Sequence, residues 1–212
     1  MPADTMTKAR GIIGGSFDPI HYGHLRVAIE FTDAFALDQT HLLPCYQSPH
    51  RSLPQATAEQ RLAMLQLAVQ SCPQLQVDSR ELEQQSLSYT VASLEQIRQE
   101  VGSDTPVYFA MGADAFKHIE QWKDWQRLFE LANIVVLHRP GYAVAPTSQF
   151  ILQRQQIFQG QHQIAGGYYE LAVTALGISA TQIRQLAKQQ QAIRFLLPEA
   201  VEHYIQQHRL YQ

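Results

Sequence analysis

Two histidines three residues apart, His21 and His24, close a run that reads GGSFDPIHYGH from Gly14 to His24. That spacing puts both imidazoles on one face of a helical turn, where they can address the same anion. An HxxH pair taken alone also fits a surface or capping pair, or two ligands of a metal. Ahead of the pair, Gly11 to Gly14 has the pattern of a short apolar strand, and glycines let the backbone come close to a ligand. A helix opening after Pro19 and His21 would bring free N–H groups to the same place, an arrangement suited to phosphate. Ser16 and Phe17 fall in the loop between. The chemistry indicated is phosphate binding on a strand-loop-helix turn.

Other candidates are spread along the chain. Ser88 is a good N-cap residue, and a helix capped there leaves the amides of Tyr89 and Thr90 as donors for a carboxylate, although simple capping accounts for the same residues. Gly112, Ala113 and Asp114 follow the apolar run VYFAM, beyond the carboxyl end of a strand, where open α/β sheets bind ligands. Asp114 suits a ribose or an amino group there, and equally a helix cap. By residue type alone, Trp122 and Trp125 read as packing residues. In ISATQIR, Ser179 with Gln182 fits a capping box and leaves a helix start ready for phosphate, with the fixed charge of Arg184 nearby. A plain capped helix with a surface arginine fits that segment too.

The first run resembles the signature of the nucleotidyltransferase superfamily, with a (T/S)-x-x-H element beginning at Ser16 and an HxGH element from His21 to His24. Its GGSFDPIHxGH form is most similar to the bacterial nicotinate-nucleotide adenylyltransferases. Further stretches match that family in order along nearly the whole chain: PCYQSPHR from Pro44, RLAM from Arg61, SYTVASL from Ser88, MGADAF from Met111, RPGY from Arg139 and ISATQIR from Ile178. The resemblance implies transfer of the adenylyl group of ATP to nicotinate mononucleotide. It implies catalytic roles for His21, His24 and Arg184, with Gly14, Gly15, Ser16, Phe17, Gly112, Asp114, Ile178, Ser179 and Thr181 joining them around ATP. It also implies that Gly15, Ser16, Arg51, Thr90, Trp122, Lys123 and Arg139 hold the pyridine nucleotide, with Trp122 stacked on the ring and the main chain near Thr90 and Lys123 meeting its carboxylate.

Mg2+ is expected mainly on the substrate phosphates, with no protein metal ligands, since no paired-carboxylate motif occurs. Two positions depart from the family pattern. Arg51 stands where the family often has Lys, which keeps the charge but not the shape, and Ala180 stands where it often has Ser. The alternative readings are another HxGH transferase, such as a phosphopantetheine adenylyltransferase or a cytidylyltransferase, and a non-catalytic dinucleotide-binding protein. Thr90, Trp122 and the extended first run separate the first of these from the pyridine nucleotide enzyme.

Positioning such a site calls for a sheet with its loops at one end. Apolar β-rich runs at Gly11 to Gly14, His41 to Cys45, Leu75 to Asp78, Val107 to Met111, Ile134 to His138 and Glu170 to Val173 read as strands. Between and after them, Gly23 to Phe35, Ala58 to Ser71, Tyr89 to Glu100, Trp125 to Leu131, Ala180 to Gln190 and Glu199 to Gln207 read as helices. The alternation predicts an α/β fold, a Rossmann-like open parallel sheet with helices on both faces. Gly141 to Gln163 reads as a long excursion between strands. All 212 residues are expected to form one nucleotidyltransferase domain, with residues 1–9 a short polar tail.

Composition bounds the partners. With 45% hydrophobic and 17% charged residues and a formal net charge of −3, the chain has enough apolar surface to fold and no overall attraction to a nucleic-acid polymer or an anionic membrane. Any anion site must be local. No transmembrane helix and no secretion signal are expected, and Cys45 and Cys72 read as reduced thiols of a cytoplasmic protein. A homo-oligomer is compatible with the sequence but not indicated by it.

Overall fold

The computed structural model describes residues 8–49, 52–141, 144, 146 and 148–212. Six strands form one sheet: β1 (Arg10–Gly15), β2 (Gln39–Pro44), β3 (Leu75–Val77), β4 (Val107–Gly112), β5 (Asn133–His138) and β6 (Tyr168–Ala172). Their order is β3-β2-β1-β4-β5-β6, and every pairing is parallel. The six expected strands are all present, with ends shifted by one or two residues.

Strand side chains alternate between two apolar layers because successive residues of a strand point to opposite faces. Ile13, Leu42, Tyr108, Val135 and Tyr169 face one layer. That layer is completed by Ala28 and Phe31 of α1 (Tyr22–Ala34) and Met64 and Leu65 of α2 (Ala58–Val69). Ile12, Leu43, Phe109, Ile134 and Tyr168 face the other. It is closed by α4 (Thr90–Val101), which follows the short α3 (Arg80–Gln84), by α5 (Ala113–Phe116) and by α6 (Trp125–Leu131). Burial on both faces explains why these strands read as nearly continuous apolar runs.

The segment between β5 and β6 carries a short helix, α7 (Gln149–Leu152), whose Ile151 joins the second layer. Beyond β6, α8 (Ala180–Lys188) and α9 (Glu199–Gln207) return to the first layer through Ile183, Val201 and Ile205. Helices α3, α5 and α7 were not among the expected elements, since four or five residues are too few to display a helical period. Residues 1–7 of the expected tail lie outside the described residues. Ala9 belongs to the core instead, 2% exposed, and its amide donates to Asp38.

The strand order reverses between β1 and β4, which is where a parallel sheet of this type opens a crevice. Pairing of β1 with β2 continues to Gly15 and Pro44, whereas pairing of β1 with β4 ends at Ile13 and Ala110. Past that point the two central strands are no longer paired, and the cleft lies at this end of the sheet.

Candidate active site

Two cavities meet over the unpaired ends of β1 and β4. The first, about 550 Å³, is lined by His21, His24, Leu137, Arg139 and Ile178 among others. The second, about 560 Å³, is lined by Cys45, Glu81, Thr90, His118 and Trp122 among others. Gly14, Gly15, Ser16, Met111, Gly112 and Asp114 line both. A small recess of about 50 Å³, bounded by Ser48, Tyr89, Thr90, Trp122 and Lys123, borders the second.

The first cavity is shaped by the loop after β1. Phe17 adopts a left-handed backbone with φ +46°, an unfavourable conformation for a bulky residue, and its buried ring meets the edge of His24 with centroids 5.1 Å apart. His21 is the N-cap of α1 and His24 sits in its first turn, so the rings stack at 3.7 Å with an interplanar angle of 25°. A Cβ at Gly23 would lie 2.9 Å from the His21 ring, so the glycine of HYGH makes the stack sterically feasible. The same Cβ would come within 3.4 Å of the Ile178 carbonyl, which places the start of α1 beside the segment leading into α8.

Neither histidine is committed to a protein partner. Nδ1 of each is buried with no hydrogen-bond partner among the described residues, so no carboxylate orients either ring through that atom as a general base would require. Burial pushes the His21 imidazole down to about 4 and, with repulsion from His21, the His24 imidazole down to about 3. Both are therefore neutral at pH 7 in the absence of an anion, and each carries one N–H available to a ligand.

Ser179 caps α8, its Oγ accepting from the Gln182 amide at 3.1 Å. Ile178 lines the first cavity, while Ser179 and Thr181 lie on the exposed start of α8 and are not among its lining residues. Arg184 reaches back to the first motif: Nη1 donates to the Asp18 carbonyl at 2.7 Å and Nη2 to Thr181 Oγ1 at 3.3 Å.

The second cavity departs from the sequence reading at its helix start. Ser88 is not the N-cap of α4; Tyr89 is. Ser88 instead pairs with the strand-like segment after β2, its amide donating to Gln47 O and its Oγ accepting from the Tyr46 amide, each at 2.9 Å. The helix therefore begins one residue later, and the amides without a bonded partner among the described residues are those of Thr90 and Val91. Trp122 and Lys123 bound the small recess with Thr90, and Lys123 Nζ lies 4.9 Å from the Tyr89 ring centre. Trp125 packs instead, edge-on to Phe150 at 5.0 Å.

Asp114 caps nothing, since Gly112 is the N-cap of α5; its side chain is 93% exposed at the mouth shared by both cavities. Arg139, grouped with the pyridine nucleotide residues by resemblance, lines the histidine cavity and not the one with Thr90 and Trp122. The reason is topological: it follows β5, on the far side of β4 from β2. Arg51 lies outside the described residues. Glu81, His118 and Gln121 of the second cavity escaped the sequence reading because they come from short elements with no diagnostic spacing.

The cytidylyltransferase-like family model matches residues 12–186. A protein named "Probable nicotinate-nucleotide adenylyltransferase" from Cellvibrio japonicus is 43% identical over 98% of this chain and 100% of its own length. The chain belongs to the nicotinate-nucleotide adenylyltransferase family. A Pseudomonas aeruginosa relative of the same name is 41% identical over 98% of this chain and 99% of its own length. The fold is also that of Plasmodium falciparum nicotinic acid mononucleotide adenylyltransferase complexed with NaAD, with a TM-score of 0.72, 20% identity and coverage of 96% and 97%. Within this family member, the GGSFDPIHYGH and MGADAF segments contribute to both cavities, while Ser88 and Thr90 of the SYT segment line only the second of the two.

The buried histidines set a pH dependence. Between pH 6.5 and about 4 the unfolded chain takes up protons at these positions that the folded chain does not, so stability falls as pH falls through that window. Urea titrations at pH 7 and pH 4.5 are expected to show a smaller loss for His24→Gln than for the unsubstituted protein, by on the order of 1–2 kcal/mol. Equal losses would mean that His24 is readily protonated in the fold.

Proposed function

We propose that this chain transfers the adenylyl group of ATP to nicotinate mononucleotide, forming nicotinate adenine dinucleotide and releasing pyrophosphate. The observation that carries the reading is the junction of two cavities of nearly equal volume at Gly14–Ser16 and Met111–Asp114. ATP occupies the histidine side and the pyridine nucleotide the Trp122 side, so their phosphates meet over the glycines. An oxygen of the acceptor phosphate attacks the α-phosphorus as the bond to the β-phosphate oxygen breaks, and no covalent enzyme intermediate is needed.

Catalysis of this kind is mostly positioning and charge stabilisation. The phosphate chain raises the proton affinity of His21 and His24, whose N–H groups then donate to its oxygens. The starts of α1 and α8 add oriented amides to the leaving pyrophosphate. Arg184 acts on the same group with the donor capacity that its bonds to Asp18 and Thr181 leave. On the acceptor side, the pyridinium ring stacks on Trp122, and its carboxylate enters the recess at the Thr90 and Lys123 amides.

No cluster of three or more His, Cys, Asp and Glu that could cage a metal occurs among the described residues, so Mg2+ fits best as an ion carried by the substrate phosphates, with Asp114 the carboxylate lining both cavities. Bound there, it would neutralise phosphate charge, with Asp114 the residue placed to hold it. No helix among the described residues is long and apolar enough to cross a membrane, and neither Cys45 nor Cys72 is held in a disulfide, which suits a reducing cytoplasm.

The deciding experiment measures pyrophosphate release from ATP and Mg2+ with nicotinate mononucleotide, nicotinamide mononucleotide or phosphopantetheine as acceptor. Turnover is expected with nicotinate mononucleotide; turnover with phosphopantetheine alone would overturn the reading. His24→Ala is expected to lower kcat by roughly tenfold to a thousandfold, checked under saturating substrates. Trp122→Ala is expected to raise KM for the pyridine nucleotide by about tenfold with KM for ATP little changed; an equal rise in both would mark Trp122 as a packing residue.

A further inference from the structure

Arg61 is among the largest fully buried side chains, 1% exposed, on the face of α2 that also buries Met64 and Leu65. A guanidinium withdrawn from water is costly unless hydrogen bonds replace its hydration, and packing alone would be served by an apolar residue here. No carboxylate lies within ion-pair distance of it among the described residues. The partners of its two Nη atoms are main-chain carbonyls, while its buried Nε has no hydrogen-bond partner among the described residues. Nη1 donates to Ser16 O at 2.8 Å and to Cys45 O at 2.7 Å, and Nη2 donates to Tyr46 O at 3.3 Å.

Those carbonyls belong to the segments that leave β1 and β2. Ser16 lines both cavities and Cys45 lines the second, whereas Arg61 lines neither. One planar group behind the cleft therefore joins the ATP-side loop to the acceptor-side loop. A further tie holds the acceptor segment, since Tyr46 N donates to Ser88 Oγ at 2.9 Å.

We propose that Arg61 is a positioning residue for adenylyl transfer, which sets the separation of the two substrates by clamping the Ser16 carbonyl to those of Cys45 and Tyr46. The proposal rests on the functional reading above. In-line displacement is sensitive to such placement, because an error of about 1 Å costs on the order of a hundredfold in rate. Lysine keeps the charge but presents a single ammonium, which cannot reproduce the fork that spans three carbonyls.

The test compares Arg61→Lys and Arg61→Gln with the unsubstituted protein in dinucleotide formation and in the reverse reaction with pyrophosphate, alongside thermal unfolding. The expected result for Arg61→Lys is a folded protein with kcat lowered about tenfold to a hundredfold in both directions, KM for each substrate within about threefold, and a larger kcat loss for Arg61→Gln. A merely structural role would lower the melting temperature and leave kcat of the folded protein unchanged, which would overturn the proposal. Failure of both variants to fold would overturn it as well, since the effect would then be on the core as a whole. Absence of dinucleotide formation by the unsubstituted protein would instead count against the functional reading.

Discussion

The cleft depends on the burial of one carboxylate. Asp18 is 4% exposed and accepts three hydrogen bonds, from the amides of Gln55 and Ala56 at 2.7 and 3.1 Å and from the Tyr211 hydroxyl at 2.7 Å. Its carbonyl accepts a fourth, from Arg184. Hydrogen bonds to a charged group contribute about 1.5–3 kcal/mol each, enough together to offset the roughly 1–3 kcal/mol of backbone strain at neighbouring Phe17. Segments from three distant parts of the chain thus converge on a single loop residue. Burial and the nearby carboxylate push the Tyr211 hydroxyl well above its usual range, so it remains a donor.

This arrangement shapes the electrostatics of the site. Arg61 and Arg184 direct charge toward loop carbonyls, and the stacked histidines are neutral without a ligand. Much of the first cavity's attraction for phosphate therefore comes from N–H groups and helix starts, with Arg139 as its one lining Lys or Arg among the described residues. Such donors are already oriented, so little reorganisation accompanies charge development. Across the junction, the Glu81 carboxyl lies in the wall of the acceptor cavity, and burial raises its proton affinity. Its bonds to Ser88 and Ser93 tie α3 to α4 beside Thr90.

Much of this was legible in the amino-acid order. Continuous apolar runs between amphipathic stretches specify a parallel sheet covered on both faces, because only a strand buried on both sides needs apolar residues at successive positions. The HxxH spacing specifies two rings on one helix face for any protein in which that segment is helical. Arg61 also left a trace, as a charge on the same helical stripe as Met64 and Leu65. Its three acceptors left none, since carbonyls carry no residue identity.

By itself, then, the sequence determined the order of the six strands and the longer helices, the phosphate-binding turn and the residue types available to it, all of which follow from local periodicity and side-chain chemistry. Tertiary structure alone decided that Ser88 pairs with the loop after β2 rather than capping α4, that Arg139 faces the histidine cavity, and that Arg61, Arg184 and Tyr211 brace the first loop. These contacts join residues as far as 193 positions apart. Their physical basis is the need of buried polar groups for partners, and which partners are within reach is set only when the sheet order brings the segments together.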